Sequence, residues 1–248
     1  KWIPMLTVCF FSVIMLSVIG FSAHFLQHIE VCYVNRSANT LRHDLTAGQR
    51  IYLYIKYTLD FLVSLAGLII LAIPMLIIAL AVKLDSKGPV LFWQKRVGLH
   101  KETFMMPKFR SMYTETPANM PTHLLNDPSR WITRSGKIMR KLSLDELPQL
   151  WSIFVGDMSV IGPRPALWNQ DDLIAERDKY GANDIRPGLT GWAQINGRDE
   201  LEIDVKAKLD GEYVQRLSFG FDVKCFLGTI AAVLRSDGVV EGGTGAKK

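Results

Sequence analysis

Two adjacent carboxylates, Asp145 and Glu146, lie directly after a strongly basic stretch of the chain. No acidic residue occurs between Pro128 and Leu142. A carboxylate can serve as a nucleophile, a general base or a metal ligand, and the positive field beside it attracts anions. The pattern therefore indicates chemistry on an anionic substrate. The basic residues are Arg130, Arg134, Lys137, Arg140 and Lys141.

Helix capping is the structural alternative for this carboxylate pair. Ser143 and Glu146 have the S-x-x-E spacing of a capping box, which predicts a helix that begins at Ser143 with Asp145 in its first turn. The free amides and the dipole of that turn would stabilise an ionised aspartate or a bound phosphate. Pro148 also prefers a first turn, so it favours a start one or two residues later. From spacing alone, capping and catalysis both stay open.

Further basic residues are candidates for binding an anionic ligand. Arg164 has the clearest physical reason, because the prolines on both sides fix its backbone and lower the entropy lost when the guanidinium binds a phosphate. A surface salt bridge is the alternative for each of them. The other predicted substrate-phosphate residues are Lys108, Arg110, Arg140, Arg186 and Arg198.

The histidines and cysteines form no catalytic or metal-binding pattern in the sequence. The three cysteines are far apart, and no pair has metal-ligand spacing. The five histidines all precede the carboxylate pair and do not cluster. A zinc site or a histidine-based nucleophile is therefore not expected, which leaves a carboxylate as the preferred group for the chemistry.

The composition allows one domain of moderate size together with membrane segments. The chain has 248 residues, 48% of them hydrophobic, and a net charge of +5. Residues 83–114 carry seven lysines and arginines against two acids, directly after an apolar segment. This arrangement favours an anionic membrane surface or a phosphorylated ligand. Nucleic acid is not expected as a partner, and a solvated basic face is the alternative.

Two apolar segments indicate different relations to a membrane. Residues 5–26 are long enough to cross a hydrocarbon core of about 30 Å and predict a transmembrane helix, with a signal peptide as the alternative. Residues 57–82 have basic residues on both flanks, although positive charge marks the cytoplasmic side of a spanning helix. A re-entrant hairpin broken at Pro74 resolves the conflict, because proline removes a backbone donor and crowds the preceding turn. A kinked spanning helix stays open.

The rest of the chain predicts a mostly α-helical domain with little β structure. Val90–Trp93 reads as a short strand and 115–129 as a surface loop. Residues 1–50 form an N-terminal extension, 51–83 the membrane hairpin, 84–241 the catalytic domain and 242–248 a flexible tail. The predicted helices cover 134–142, 146–155, 168–180, 200–216 and 221–234.

Taken together, the ordered motifs resemble the bacterial sugar transferase family, the monotopic phosphoglycosyl transferases. The resemblance runs from Tyr57 to Gly238. Residues 1–50 precede the part of the chain that corresponds to the minimal form of the family. The matching blocks are Asp60-Phe61 with Pro74, Gly88 to Val90, Gln94 to Gly98, Lys108 to Met112, Ser143 to Gln149, Gly156 to Pro165 and Arg186 to Arg198.

The resemblance implies transfer of a sugar 1-phosphate from a UDP-sugar to polyprenyl (undecaprenyl) phosphate, with release of UMP. This is the first membrane step of bacterial glycoconjugate pathways such as exopolysaccharide, O-antigen or capsule synthesis. It implies that Asp145 forms a covalent phosphosugar intermediate, that Glu146 is its partner, and that Mg²⁺ bridges Asp145 and the diphosphate. Arg164 matches the arginine of the family's Pro-Arg-Pro motif.

The resemblance also implies a fold and a location. The expected fold is a monotopic one, with a re-entrant helix broken at Pro74 and an α-rich catalytic domain on the cytoplasmic face of the bacterial inner membrane. The expected partners are the UDP-sugar, polyprenyl phosphate and membrane lipid, and a homodimer stays open.

Two functions from other classes compete with this interpretation. A catalytically idle membrane adaptor could present the basic surface to partners, but it has no need for Asp145, Glu146 and Arg164 together. A glycoside hydrolase could use two carboxylates, but neighbouring residues on one helix point roughly 100° apart and do not face each other across a sugar bond.

Overall fold

The computed structural model describes residues 45–116, 130–197 and 201–235. Several predictions lie outside these ranges: the transmembrane helix at 5–26, most of the loop 115–129, Arg198 and the tail 242–248. In the described part, the chain is mostly helical with four short strands, as the sequence predicts.

Two apolar helices open the described chain, α1 (Ala47–Ile70) and α2 (Ala72–Asp85). Thr46 and Gln49 form a capping box that starts α1. Leu71 separates the two helices, with φ −90° and ψ 5°. Pro74 explains this position, because it has no N–H for the carbonyl of Ile70, four residues earlier, and its ring crowds that carbonyl. The interruption thus falls three residues before the proline. Among the described helices, α1 alone is long and apolar enough to cross a membrane.

The remaining described elements are four strands, which form two small sheets, and six helices. Strands β1 and β2 pair antiparallel, with Leu91 opposite Phe109 and Val97 opposite Thr103. Strands β3 and β4 pair in parallel, with Ser159 opposite Gly188. In chain order the elements are β1 (Leu91–Val97), β2 (Thr103–Phe109), α3 (Arg134–Lys141), α4 (Gln149–Phe154), β3 (Ser159–Ile161), α5 (Asp171–Asp178), β4 (Gly188–Thr190), α6 (Trp192–Ile195), α7 (Ile203–Gln215) and α8 (Phe219–Arg235).

All five helices predicted after the membrane segments are present, with ends that differ by a few residues. The predicted strand Val90–Trp93 is longer than expected and reaches Val97. Its partner β2 was not predicted, because Pro107 and Lys108 interrupt the apolar pattern of that segment. The core includes a cluster of Val82, Phe109 and Met139, which packs α2 and α3 against β2.

Buried charges attach α1 to the domain. The Lys56 ammonium lies 2.6 Å from a carboxylate oxygen of Asp222 on α8. The hydroxyls of Tyr52 and Tyr213 donate to the same carboxylate, at 2.7 and 2.6 Å. Because buried charges are costly unless they are paired and hydrogen-bonded, this network fixes the rotation of α1 against α7 and α8.

The one carboxylate of α1, Asp60, binds the strand that leads to the Gly-Pro-Arg-Pro motif. Asp60 accepts hydrogen bonds from the Ser159 hydroxyl at 2.6 Å and from the Val160 amide at 3.2 Å. Both donors belong to β3. The buried polar residues of α1 therefore attach this apolar helix to the domain.

The end of α2 is attached to the same domain through two further side chains. Asp85 accepts from the amide and the hydroxyl of Ser135, each at 2.8 Å. The Arg110 guanidinium is buried and donates to the carbonyls of Lys87 at 2.9 Å and Ser86 at 2.7 Å. Between these attachments α1 and α2 expose apolar side chains. The most exposed of them include Ile69, Ile70, Ile73, Leu76 and Ile77.

Asp222→Ala is expected to destabilise the fold strongly. The substitution leaves the Lys56 ammonium and two tyrosine hydroxyls buried without their acceptor, which costs about 3–5 kcal/mol for a broken buried pair. Thermal melting of the detergent-solubilised protein measures the change. Glu176→Ala, which removes a pair with the exposed Lys179, is the matched control with little expected effect. Equal melting temperatures for the two variants would contradict the role given to Asp222.

Candidate active site

The carboxylate pair lies in a 3₁₀ turn between α3 and α4. Ser143 has a left-handed backbone, with φ 55° and ψ 24°, and its side chain makes no capping hydrogen bond. The predicted capping box is therefore wrong, because an N-cap residue requires an extended backbone from which its oxygen reaches the following amides. The turn spans Leu144–Glu146, and α4 begins only after Pro148. Asp145 thus lies before the helix and not in its first turn.

Glu146 is held by two cations that come from distant parts of the chain. One of its oxygens, Oε1, accepts from Lys108 Nζ at 2.9 Å and from Arg164 Nη2 at 2.5 Å. Lys108 belongs to β2, and Arg164 follows β3. Burial alone would raise the pKa of Glu146, but the charges of Arg164 and Lys108 outweigh it and hold that pKa well below its usual range. Glu146 is therefore a fixed anion.

Asp145 has a different environment although it is the adjacent residue. Within the ranges that the structure describes, no other side chain donates a hydrogen bond to its carboxylate. Burial raises the pKa of Asp145, and the charge of Glu146 raises it further, while Lys108 and Arg140 oppose the shift. A half-buried carboxylate without a fixed partner, next to cations, can bind a metal ion or attack an electrophile. The geometry separates the two acids into an anchor and an available oxygen donor.

The structure brings together some of the predicted phosphate-binding residues and not others. Lys108 and Arg164 meet at Glu146, and Arg140 on α3 is close enough to act on the charge of Asp145. Arg110 instead binds the carbonyls after α2. The buried Arg186 lies over the ring of Tyr57, with 4.2 Å between its guanidinium carbon and the ring centroid. Phosphate binding by each of these residues stays a prediction.

Sequence reasoning missed Arg96, which holds the loop that carries Arg164. Its Nη1 donates to the carbonyl of Pro165 at 2.9 Å, and its Nε and Nη2 donate to Gln94 at 3.1 and 2.6 Å. The Pro165 carbonyl directly follows Arg164, so Arg96 fixes the loop that carries that guanidinium. The available signal was its position in the basic block 83–114, which does not distinguish a supporting arginine from a ligand-binding one.

The carboxylates of the site suit Mg²⁺, which can take most of its ligands from water and substrate, and do not suit a metal ion that needs protein ligands alone. Among the described residues there is no group of three or more histidine, cysteine or acidic side chains that could hold an ion. Mg²⁺ commonly takes one or two carboxylates and completes its shell with water and substrate phosphates. Asp145 supplies such a carboxylate, since its oxygens are not bound to the cations that hold Glu146.

Comparison with known proteins decides the family. The sequence model of the family described as bacterial sugar transferase matches residues 51–236 of this chain. The chain belongs to this family. The family resemblance noted from the sequence is thereby confirmed, and the carboxylate pair, Lys108 and Arg164 all lie inside the matched region.

Two relatives whose names state a glucose phosphate transfer are much longer than this chain. The undecaprenyl-phosphate glucose phosphotransferase of Komagataeibacter xylinus is 40% identical over 185 residues, which are 71% of this chain and 35% of the relative. The UDP-glucose:undecaprenyl-phosphate glucose-1-phosphate transferase of Escherichia coli (strain K12) is 39% identical over 184 residues, 68% of this chain and 38% of the relative. This chain thus spans little more than a third of their length.

A relative of more similar size is the uncharacterized sugar transferase EpsL of Bacillus subtilis (strain 168). It is 42% identical over 158 residues, which are 64% of this chain and 76% of EpsL.

Glu146→Gln is expected to move the ionisation of Asp145 to lower pH. The charge of Glu146 raises the pKa of Asp145, so its removal lowers that pKa, and the released Lys108 and Arg164 charges act in the same direction. If ionised Asp145 starts the reaction, the rate rises as pH increases through the pKa of Asp145. In the variant this rise should therefore occur at a lower pH. The pH profile of single-turnover UMP release measures the shift, even if the maximum rate falls. Glu176→Gln is the control, and an upward shift would contradict the assignment.

Proposed function

We propose that this protein transfers a sugar 1-phosphate from a UDP-sugar to polyprenyl (undecaprenyl) phosphate, giving a polyprenyl diphosphate sugar and UMP. The observation that carries the proposal is the unequal environment of the two acids. Glu146 is fixed by Lys108 and Arg164, while Asp145 beside them is available to react. The names of the Komagataeibacter and Escherichia relatives, which describe glucose phosphate transfer to undecaprenyl phosphate, support the same reaction class.

In the first step an oxygen of Asp145 attacks the β-phosphorus of the UDP-sugar. A bond forms between this oxygen and phosphorus, the bond from the β-phosphorus to the bridging oxygen breaks, and UMP leaves. Lys108 and Arg164 orient the diphosphate and stabilise the charge that develops on its equatorial oxygens. The product is an aspartyl phosphosugar on Asp145.

In the second step a phosphate oxygen of the polyprenyl phosphate attacks the same phosphorus. The bond to Asp145 breaks, the carboxylate is restored, and the new diphosphate linkage joins the sugar phosphate to the lipid. Two displacements at one carboxylate predict ping-pong kinetics. A Mg²⁺ ion held by Asp145 would neutralise diphosphate charge and favour the departure of UMP.

The lipid acceptor requires the site to lie at a membrane surface, and we assign the hairpin α1–α2 to a re-entrant insertion. Both helices bind the same domain, α1 through Asp60 near its middle and α2 through Asp85 at its last residue. The apolar side chains around Leu71 are exposed and match hydrocarbon. The domain then lies at the cytoplasmic face of the inner membrane, where soluble UDP-sugars are available.

Helix α8 fits the same orientation. Its exposed apolar side chains repeat at helical spacing, next to Lys224 and Arg216, and such a face suits the boundary between lipid and headgroups. The apolar side chains are Phe219, Val223, Phe226, Leu227 and Ile230.

Asp145→Asn is expected to abolish transfer while leaving the fold intact, because an amide cannot form the acyl phosphate. We expect a loss of at least about 10³-fold, the scale on which removal of a covalent nucleophile acts. UMP release with a panel of UDP-sugars and polyprenyl phosphate measures it. Glu176→Gln, at an acid on α5 whose ion pair is with the exposed Lys179, is the control. Substantial turnover by Asp145→Asn would remove Asp145 from the nucleophile role.

The re-entrant assignment predicts that both ends of the hairpin are accessible from one side of the membrane. Single cysteines at the exposed Arg50 and Lys87, in a chain whose own cysteines are replaced by serine, should both resist a membrane-impermeant thiol reagent in intact cells. Both should react in inside-out vesicles. Labelling of the two positions from opposite sides would establish a spanning helix instead.

A further inference from the structure

The basic run that precedes the carboxylate pair points in two directions in the structure. Arg140 on α3 acts on the charge of Asp145. The side chains of Arg134, Lys137 and Lys141 are exposed, and their spacing of i, i+3 and i+7 places them on one side of the same helix. Neither of the two lysines has a side-chain hydrogen bond or an ion pair with any residue that the structure describes.

Two apolar side chains are exposed beside these cations. Ile138 is 63% exposed, and Leu142, which directly follows α3, is 52% exposed. Each of them is the chain neighbour of one lysine, Lys137 or Lys141. Cations next to exposed apolar side chains are typical of a helix that lies at the boundary between headgroups and hydrocarbon. Because the stretch contains no acidic residue, nothing within it offsets the positive charge.

The buried face of α3 packs against the end of α2. Met139 belongs to the cluster that also contains Val82 of α2 and Phe109 of β2. At the start of α3, the amide and the hydroxyl of Ser135 donate to Asp85, the last residue of α2, each at 2.8 Å. The exposed face of α3 therefore lies beside the place where α2 ends, which the re-entrant assignment puts at the level of the lipid headgroups.

The same packing includes the turn that carries the reactive acid. Leu144 and Leu147, on either side of Asp145 and Glu146, are partly buried against the cluster that joins α2 to α3. The end of α2, helix α3 and the 3₁₀ turn thus form one packed unit. A contact that fixes α3 at the headgroups also fixes the height of Asp145 above the hydrocarbon.

We propose that the exposed face of α3 binds the headgroups of acidic phospholipids in the leaflet that holds α1 and α2. The argument is charge complementarity, since three cations face a negatively charged lipid surface and two apolar side chains enter between its headgroups. Each lysine or arginine near such a surface strengthens binding by about fivefold.

This assignment rests on the proposed function for the membrane position of the two helices. It adds to that function a lipid that is neither the donor nor the acceptor of the reaction. The nucleotide sugar is the other anion that a basic face could attract. Within α3, however, the cation that acts on Asp145 is Arg140, and the exposed lysines Lys137 and Lys141 are therefore assigned to lipid.

The test measures lipid selectivity without the transfer reaction. The purified full-length protein is reconstituted in phosphatidylcholine with a trace of spin-labelled phosphatidylglycerol or spin-labelled phosphatidylcholine. Electron paramagnetic resonance gives the fraction of each label held at the protein. The wild type should hold the phosphatidylglycerol label more strongly by about fivefold at low salt, with a smaller preference at high salt. The double variant Lys137→Gln/Lys141→Gln should lose this preference.

The matched control is Lys179→Gln/Lys208→Gln, which removes the same charge from two exposed positions outside α3. It should keep the preference of the wild type. In membranes of phosphatidylcholine alone, UMP release by Lys137→Gln/Lys141→Gln should show the same KM for the UDP-sugar as the wild type, because these lysines then have no acidic lipid to bind.

The outcomes distinguish this assignment from the proposed function. Equal retention of the two labels by the wild type, or a preference that survives in Lys137→Gln/Lys141→Gln, would overturn the lipid assignment. A higher KM for the UDP-sugar in that variant, in phosphatidylcholine alone, would also overturn it, because the lysines would then serve the nucleotide. A wild type that retains phosphatidylglycerol through α3 but transfers no sugar phosphate would contradict the proposed function and support the lipid assignment.

Discussion

The site depends on the convergence of Lys108 and Arg164 on one oxygen of Glu146. This contact joins β2, the loop after β3 and the 3₁₀ turn, which no backbone pairing connects directly. It also makes Glu146 a permanent anion, because two charge-assisted hydrogen bonds outweigh the cost of burial. Asp145 lies beside this saturated carboxylate and close to the same cations. The two adjacent acids therefore differ because Lys108 and Arg164 bind the carboxylate of Glu146 and leave that of Asp145 unbound.

The residues around Arg164 hold its loop in place, and several of them belong to the sequence motifs noted above. Arg96 fixes the Pro165 carbonyl, and the pairing of β3 with β4 fixes Gly162 on the other side. A Cβ atom at Gly188 would lie 2.1 Å from the Gly162 amide nitrogen, so the two strands approach this closely only because a glycine is present. Asp60 on α1 binds β3 only a few residues before Arg164. One short segment thus connects α1 with the loop that carries the guanidinium.

Sequence patterns predicted the helices because their signals are local, and they indicated the adjacent acids as candidates for the same reason. Helical periodicity and neighbouring acids are visible within a few residues, and the interruption at Leu71 follows from the chemistry of Pro74. The partners of Glu146 were not predictable, since they lie 38 and 18 residues away in the chain. The left-handed backbone of Ser143 was also missed, because the S-x-x-E spacing indicates a cap whether or not one forms. Arg110 and Arg186 illustrate the same limit: a basic residue in a motif can bind backbone carbonyls or a tyrosine ring as readily as a substrate.

The central claim is that Asp145, and not Glu146, forms the covalent bond to the sugar phosphate. The direct measurement is to mix the protein with a UDP-sugar in the absence of lipid acceptor, quench with acid, and map the modified peptide by mass spectrometry. The account predicts a mass increase of one sugar phosphate located at Asp145, which disappears when polyprenyl phosphate is added. A modification at Glu146, or UMP release with no modified peptide under conditions where an acyl phosphate survives, would contradict it.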